Sequence, residues 1–151
     1  MSLSVPDRLA LSELVHRYAA AVDDRDVETV LRLFVADGEL VLPEPPDVLT
    51  PVRHQRGPDA IGVALSEATN VGRTHHGIDS EVYTPGTNPD VVHGRIAATA
   101  HHWSRRSDGV ADLVWYLRYD DEYVRAESDW LLARRALTID AIETRPTRRL
   151  R

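Results

Sequence analysis

Two histidine doublets, His75-His76 and His101-His102, carry the side chains best suited to chemistry near neutral pH. Each doublet lies in a stretch that reads as a β-strand. Successive strand residues point to opposite faces of a sheet, so a doublet sends one imidazole to each side and cannot chelate as a pair. If the sheet curls round a pocket, each doublet supplies one inward histidine. Two such rings facing one cavity would be candidate acid/base groups.

Alternation chooses between the members. Val92, Gly94, Ile96, Ala98, Ala100 and His102 share one strand face, small and apolar, suited to lining a cavity. His93, Arg95, Thr99, His101 and Trp103 share the other, which is polar. His102 is therefore the expected inward ring. His76 shares parity with Ile78 and Ser80, and His75 with Gly77 and Asp79, which favours His76 by a smaller margin. His75 and His101 are expected to be replaceable.

Asp23 stands where the first helix is expected to end. A carboxylate there faces the negative end of the helix dipole, which is mildly unfavourable. A turn and a cap account for Asp24 and Asp26; nothing local accounts for Asp23. Tyr18 lies on the apolar face of the same helix. It reads either as a core tyrosine or as a phenol offered to a substrate oxygen, and the two are compatible. His76, His102 and Asp23 are also a ligand set known for metals. No H-x-H or H-x-x-x-H spacing accompanies them, so neither a metal nor an organic cofactor is expected.

The elements that must position these groups follow an α+β order. Ser4 caps a helix from about Val5 to Val22, with Leu11, Leu14, Val15, Tyr18, Ala19 and Val22 at helical spacing. Asp26 caps a short second helix through Val27, Val30, Leu31 and Phe34. A strand is expected at Gly38 to Leu42. PEPPDVLTP, Pro43 to Pro51, reads as a rigid loop or lid rather than regular structure. Gly57-Pro58-Asp59 opens a third helix reaching about Thr69. Four long strands follow, at Arg73–Tyr83, Val91–Arg106, Val110–Arg125 and Trp130–Glu143, separated by turn-forming residues. The expected architecture is one domain, 1–144, with three helices packed on one face of a mostly antiparallel sheet, and a basic tail, 145–151, read as a frayed terminus.

Bulk properties narrow the function. A chain of 151 residues with 42% apolar content fits one globular domain. Its net charge of −6 argues against a general nucleic-acid binder. There is no cysteine, which removes disulfides and thiolate chemistry, and no lysine, which removes lysine Schiff bases. No apolar run is long enough to span a membrane, and the first residues lack the pattern of a secretory signal. A cytoplasmic enzyme is compatible with this. No Gly-rich phosphate loop and no G-x-S-x-G elbow occurs.

The pattern resembles the SnoaL-like group of the nuclear transport factor 2-like superfamily. The resemblance rests on ELVHRYAAAVDDRDVETVLRLFVADGELVL (Glu13 to Leu42), RTHHGI (Arg73 to Ile78) and YDDEYVRAESDWLLARRALTIDAIETRP (Tyr119 to Pro146). It implies a cone-shaped α+β barrel in which three helices close a strongly curved sheet over a deep apolar pocket, and homodimers or higher oligomers. Within the group the chain looks most like cofactor-free dehydratases of the scytalone and bile-acid types. Asp23 and His76 fall at the places of their aspartate and histidine. Tyr18 matches the phenol of the bile-acid type, and His102 the second histidine of the scytalone type. Val22 and Leu42 stand where the scytalone type has tyrosines. Leu42 also takes the place of the catalytic aspartate of ketosteroid isomerases, which disfavours that activity.

The resemblance implies a dehydratase, isomerase or cyclase acting on a small hydrophobic cyclic or polyketide-like molecule, with Asp23 supporting His76 as base and Tyr18 and His102 stabilising the enolate oxygen or protonating a departing hydroxyl. The alternatives are a non-catalytic ligand-binding or oligomerisation domain of the same fold, and the small subunit of a ring-hydroxylating dioxygenase.

Overall fold

The computed structural model describes residues 2–68 and 71–151. Three helices, α1 (Val5–Asp23), α2 (Val27–Arg32) and α3 (Gly57–Ala68), pack against a curved, unclosed sheet of six strands. The strands are β1 (Phe34–Glu44), β2 (Val48–Arg56), β3 (Arg73–Pro85), β4 (Val91–Arg106), β5 (Gly109–Ala126) and β6 (Asp129–Thr147). Their order is β2-β1-β6-β5-β4-β3. Only the β1–β6 contact is parallel. The sheet is thus mostly antiparallel, as expected, but β2 and β3 remain as its edges, so no barrel closes. No helix among the described residues is long and apolar enough to cross a membrane.

The helices form where capping and periodicity place them. Ser4 accepts a hydrogen bond from the Asp7 amide and caps α1. Leu11, Leu14, Val15, Tyr18 and Ala19 are buried on one helical face. Asp26 caps α2 through the Thr29 amide. The expected end of the third helix, Thr69, lies outside the described residues.

Three sequence expectations change. The segment Pro43 to Pro51 is not a loop or lid: it forms the tip of the β1–β2 hairpin. Pro43 and Pro51 both lie in the irregular stretch between the Leu42↔Arg53 and Glu44↔Val48 pairs. At such a bulge a missing N–H removes no ladder bond, so proline is tolerated. Phe34 opens β1 instead of ending α2, because it is paired with Leu132 of β6, whose amide donates to the Leu33 carbonyl at 2.8 Å. The last strand runs past Glu143 to Thr147: Arg145 pairs with Asp112, and its guanidinium binds Glu143 and the Tyr116 hydroxyl. The basic segment therefore begins as strand, not as a frayed end.

Bulges at Asp79 in β3, and at Ala133 and Asp140 in β6, bend the sheet round its helical side. Where β4 bends closest to β5, only glycine fits. A Cβ on Gly94 would stand 2.7 Å from the Tyr123 ring.

One core side chain is an arginine. Arg135 on β6 is completely buried and makes a two-pronged ion pair with Asp121 on β5, at 2.9 and 2.7 Å. Its guanidinium carbon lies 4.1 Å from the ring centroids of both Tyr18 and Tyr119. Burial alone would lower its pKa, but Asp121 reverses that and keeps it charged.

Two measurements test this framework. Asp121→Ala leaves a buried cation unpaired and should cost about 3–5 kcal/mol in urea unfolding, while Arg135→Met combined with Asp121→Leu should recover much of it. Equal losses for the single and double variants would contradict the account. The second concerns Asp7. Its carboxylate accepts from the Ser4 hydroxyl, Trp130 and Arg125, and these bonds hold its pKa down to about 2. The stabilisation is full above the unfolded value of about 4 and is lost as pH falls toward 2. Asp7→Ala should lower Tm by roughly 2–4 °C at pH 7, and the difference should shrink below pH 4.

Candidate active site

Asp23 is the last residue of α1, and β3 brings its partners. Its Oδ1 accepts from the Thr74 hydroxyl at 3.0 Å and from His76 Nδ1 at 2.7 Å. Its Oδ2 accepts from the His76 amide at 2.9 Å. Burial raises the carboxyl's pKa, but the hydrogen bonds from His76 and Thr74 outweigh it and the net shift is downward. Asp23 is therefore an anion at neutral pH. Since it can only accept, His76 Nδ1 carries a proton, and in the neutral ring the lone pair then falls on Nε2.

His102 reaches the same state by another route. Its Nδ1 lies 2.9 Å from the Leu113 carbonyl oxygen, which can only accept. Nε2 of His102 is thus also a lone-pair acceptor. Burial lowers the pKa of this ring, against the opposing effect of the Leu113 carbonyl, so it stays neutral. The two rings stand 6.1 Å apart, nearly perpendicular. In this tautomer Nε2 is an acceptor. A neutral His102 held this way offers no proton to an enolate or a departing hydroxyl.

His76 and His102 line a cavity of about 70 Å³ with Tyr18, Thr74, Trp115 and Tyr119 as its other polar or aromatic walls. The rest of the lining is aliphatic and includes Val22 and Leu42. Tyr18 is both core and lining: 5% exposed, edge-on to Phe34 and Tyr119. Asp23 does not face the cavity but stands behind His76. A neighbouring cavity of about 190 Å³, under Pro43 and Pro45 of the hairpin, shares Leu42, Ala64, Ala68, Trp115 and Leu137 with the first.

The structure therefore brings Tyr18, His76 and His102 to one cavity, with Asp23 bonded to His76. His75 and His101 lie on the opposite face, where His101 bonds Asp112 at 2.6 Å and stacks on Trp103. Among the described residues no group of three or more His, Cys, Asp or Glu is arranged to hold a metal ion. Four lining residues were missed from sequence. Thr74 shares parity with His76. Trp115, Leu117 and Tyr119 alternate along β5, a period-2 signal that marks one face.

A SnoaL-like domain profile matches residues 4–136. The chain belongs to the SnoaL-like family. Solved structures similar to this SnoaL-like chain include a candidate scytalone dehydratase from Novosphingobium aromaticivorans. It is 19% identical, with TM-score 0.77, over 95% of this chain and 91% of that one. A candidate aromatic ring hydroxylase from the same organism is 24% identical, with TM-score 0.78, over 97% and 96%. A hexachlorocyclohexane dehydrochlorinase is 16% identical, with TM-score 0.78, over 98% and 97%. At these identities the likeness shows the fold. No functionally curated protein matches the chain.

The tautomer assignment has a direct readout. In a ¹H–¹⁵N spectrum of the imidazoles, His102 should show a protonated Nδ1 at pH 7 and titrate below the ordinary value of about 6.5. A midpoint above that value would remove the basis for its acceptor role.

Proposed function

We propose that the chain is a cofactor-independent acid/base enzyme of the dehydratase, isomerase or cyclase kind. It acts on a small hydrophobic carbonyl compound of cyclic or polyketide-like form. The observation that carries this reading is the 2.7 Å bond from His76 to Asp23, which stands behind the ring and directs its free nitrogen at an apolar cavity. The family membership and the dehydratase and dehydrochlorinase names among similar structures are consistent with it.

His76 Nε2 removes a proton α to the substrate carbonyl, and Asp23 stabilises the imidazolium that forms. The Tyr18 hydroxyl donates to the carbonyl oxygen as negative charge develops there. The imidazolium then returns the proton. Given to a β-hydroxyl, it releases water as the C–O bond breaks and a conjugated C=C bond forms; given to the γ-carbon, it completes an isomerisation. His102 Nε2 accepts from a substrate hydroxyl and orients it. The substrate's own carbonyl delocalises the charge, so no metal or organic cofactor takes part.

A second reading has support of its own. Val22 and Leu42 leave the cavity more apolar than the resemblance implies, and the cavity is small, which suits a ligand-binding or oligomerisation domain. The small subunit of a ring-hydroxylating dioxygenase is the remaining alternative; a stable homodimer purified alone would count against it. We place the protein in the cytoplasm, as a homodimer or higher oligomer.

Turnover of cyclic β-hydroxyketones, followed by the absorbance of the conjugated enone, tests the mechanism. His76→Ala and Asp23→Asn should each lower kcat at least tenfold, within the roughly 10²–10⁴-fold range of general acid–base catalysis. Unchanged turnover in both variants would reject it.

A further inference from the structure

Tyr119 is the hydroxyl of this cavity to which the proposed mechanism gives no task. It is 5% exposed, lies on β5, and lines the cavity opposite the helix that carries Tyr18. The two phenol rings meet edge to face, 6.0 Å between centroids, one presented by the helical wall and one by the sheet. The Arg135 guanidinium lies against both faces and fixes both rings.

The Tyr119 hydroxyl donates to no acceptor among the described residues. The fully enclosed side-chain polar atoms that lack a partner are Asp112 Oδ1 and Trp115 Nε1, and the Tyr119 oxygen is not among them. A tyrosine this buried, whose oxygen is neither bonded nor sealed, opens on the cavity. Burial raises the pKa of both phenols, so both remain O–H donors. The histidines present acceptor nitrogens, as argued above, so the phenols are the complementary donors. A ligand oxygen entering the cavity supplies the acceptor that this hydroxyl lacks.

We infer that Tyr119 is a second hydrogen-bond donor to the substrate, closing with Tyr18 on a single oxygen that becomes anionic during the reaction. This rests on the acid/base reading for the word reaction, but the donor pair itself rests on geometry. It narrows the substrate class to compounds whose carbonyl or phenolic oxygen enters first, between helix and sheet, with the acidic C–H turned toward His76.

The test uses 4-nitrophenol, whose absorbance distinguishes the neutral from the anionic form. The wild-type protein should bind it and shift the bound population toward phenolate. Tyr18→Phe and Tyr119→Phe keep the rings packed on Arg135 and remove only the hydroxyls. Each should weaken binding roughly tenfold or more and reverse the spectral shift in part. Tyr83→Phe removes a phenol that is bonded to Glu81 and does not line the cavity, and should bind as wild type. Thermal melting checks that each variant is folded. Wild-type affinity and spectrum in folded Tyr119→Phe, with loss in Tyr18→Phe, would overturn the inference. So would failure of the wild-type protein to bind the probe. If both phenols hold the probe while His76→Ala and Asp23→Asn leave turnover unchanged, the donor pair stands and the acid/base reading falls.

Discussion

A carboxylate at the C-terminal end of a helix meets the negative pole of that helix. Asp23 is held in that position because one strand delivers three donors to it: the Thr74 hydroxyl, the His76 amide and the His76 ring. Those bonds join α1 to β3, and so close the helical layer onto the wall of the cavity. They also fix the plane and tautomer of the imidazole. Burial opposes the charge and the hydrogen bonds override it, as the lowered pKa records. One interaction therefore sets both the helix-to-sheet seam and the orientation of the ring proposed to do the chemistry.

The Arg135–Asp121 pair works differently. Removing two charges from water is expensive, and a well-packed apolar pair of similar volume is often as stable or more so. Stability is thus a poor reason for its presence. Its placement gives a better one. The guanidinium carbon stands over the rings of both Tyr18 and Tyr119, and the carboxylate both neutralises the cation and binds Tyr123. The pair brings orientation to the cavity wall without adding net charge to it, which suits an apolar ligand.

How much of this could be read from residue order depended on where the strands stay regular. β4 pairs with β5 without interruption from Val91 to Arg106, and every even position from Val92 to His102 is buried. That made His102 legible. β3 has a bulge at Asp79, between Ile78 and Ser80, so its alternation breaks just past the doublet, and the choice of His76 over His75 needed the resemblance to carry it. On β5 the parity of Trp115, Leu117 and Tyr119 is unbroken, but a period of two marks a face without saying that the face lines a cavity. The prolines of Pro43–Pro51 obscured a hairpin because they sit where its ladder is interrupted. Arg135 was beyond reach altogether. Its partner is fixed by cross-strand register, Asp121↔Arg135, and no local pattern separates the buried arginine from the half-buried Arg134 beside it.

The hydrogen bonds also limit which reaction can be proposed. Both imidazoles spend their Nδ1 protons on protein acceptors, so under the proposed reading, which takes both rings as neutral, the cavity starts with two bases and no imidazolium. Under the proposed reading, the only acid strong enough to expel a hydroxyl is the imidazolium that His76 becomes after taking the α-proton. The phenols are too weakly acidic to do so, since burial raises their pKa values. A site built this way favours reactions in which the proton removed is the proton returned, such as an elimination or a double-bond shift. Hydrolysis would require a separate acid for the leaving group while a base activates water, and none of the lining residues supplies it in the resting state.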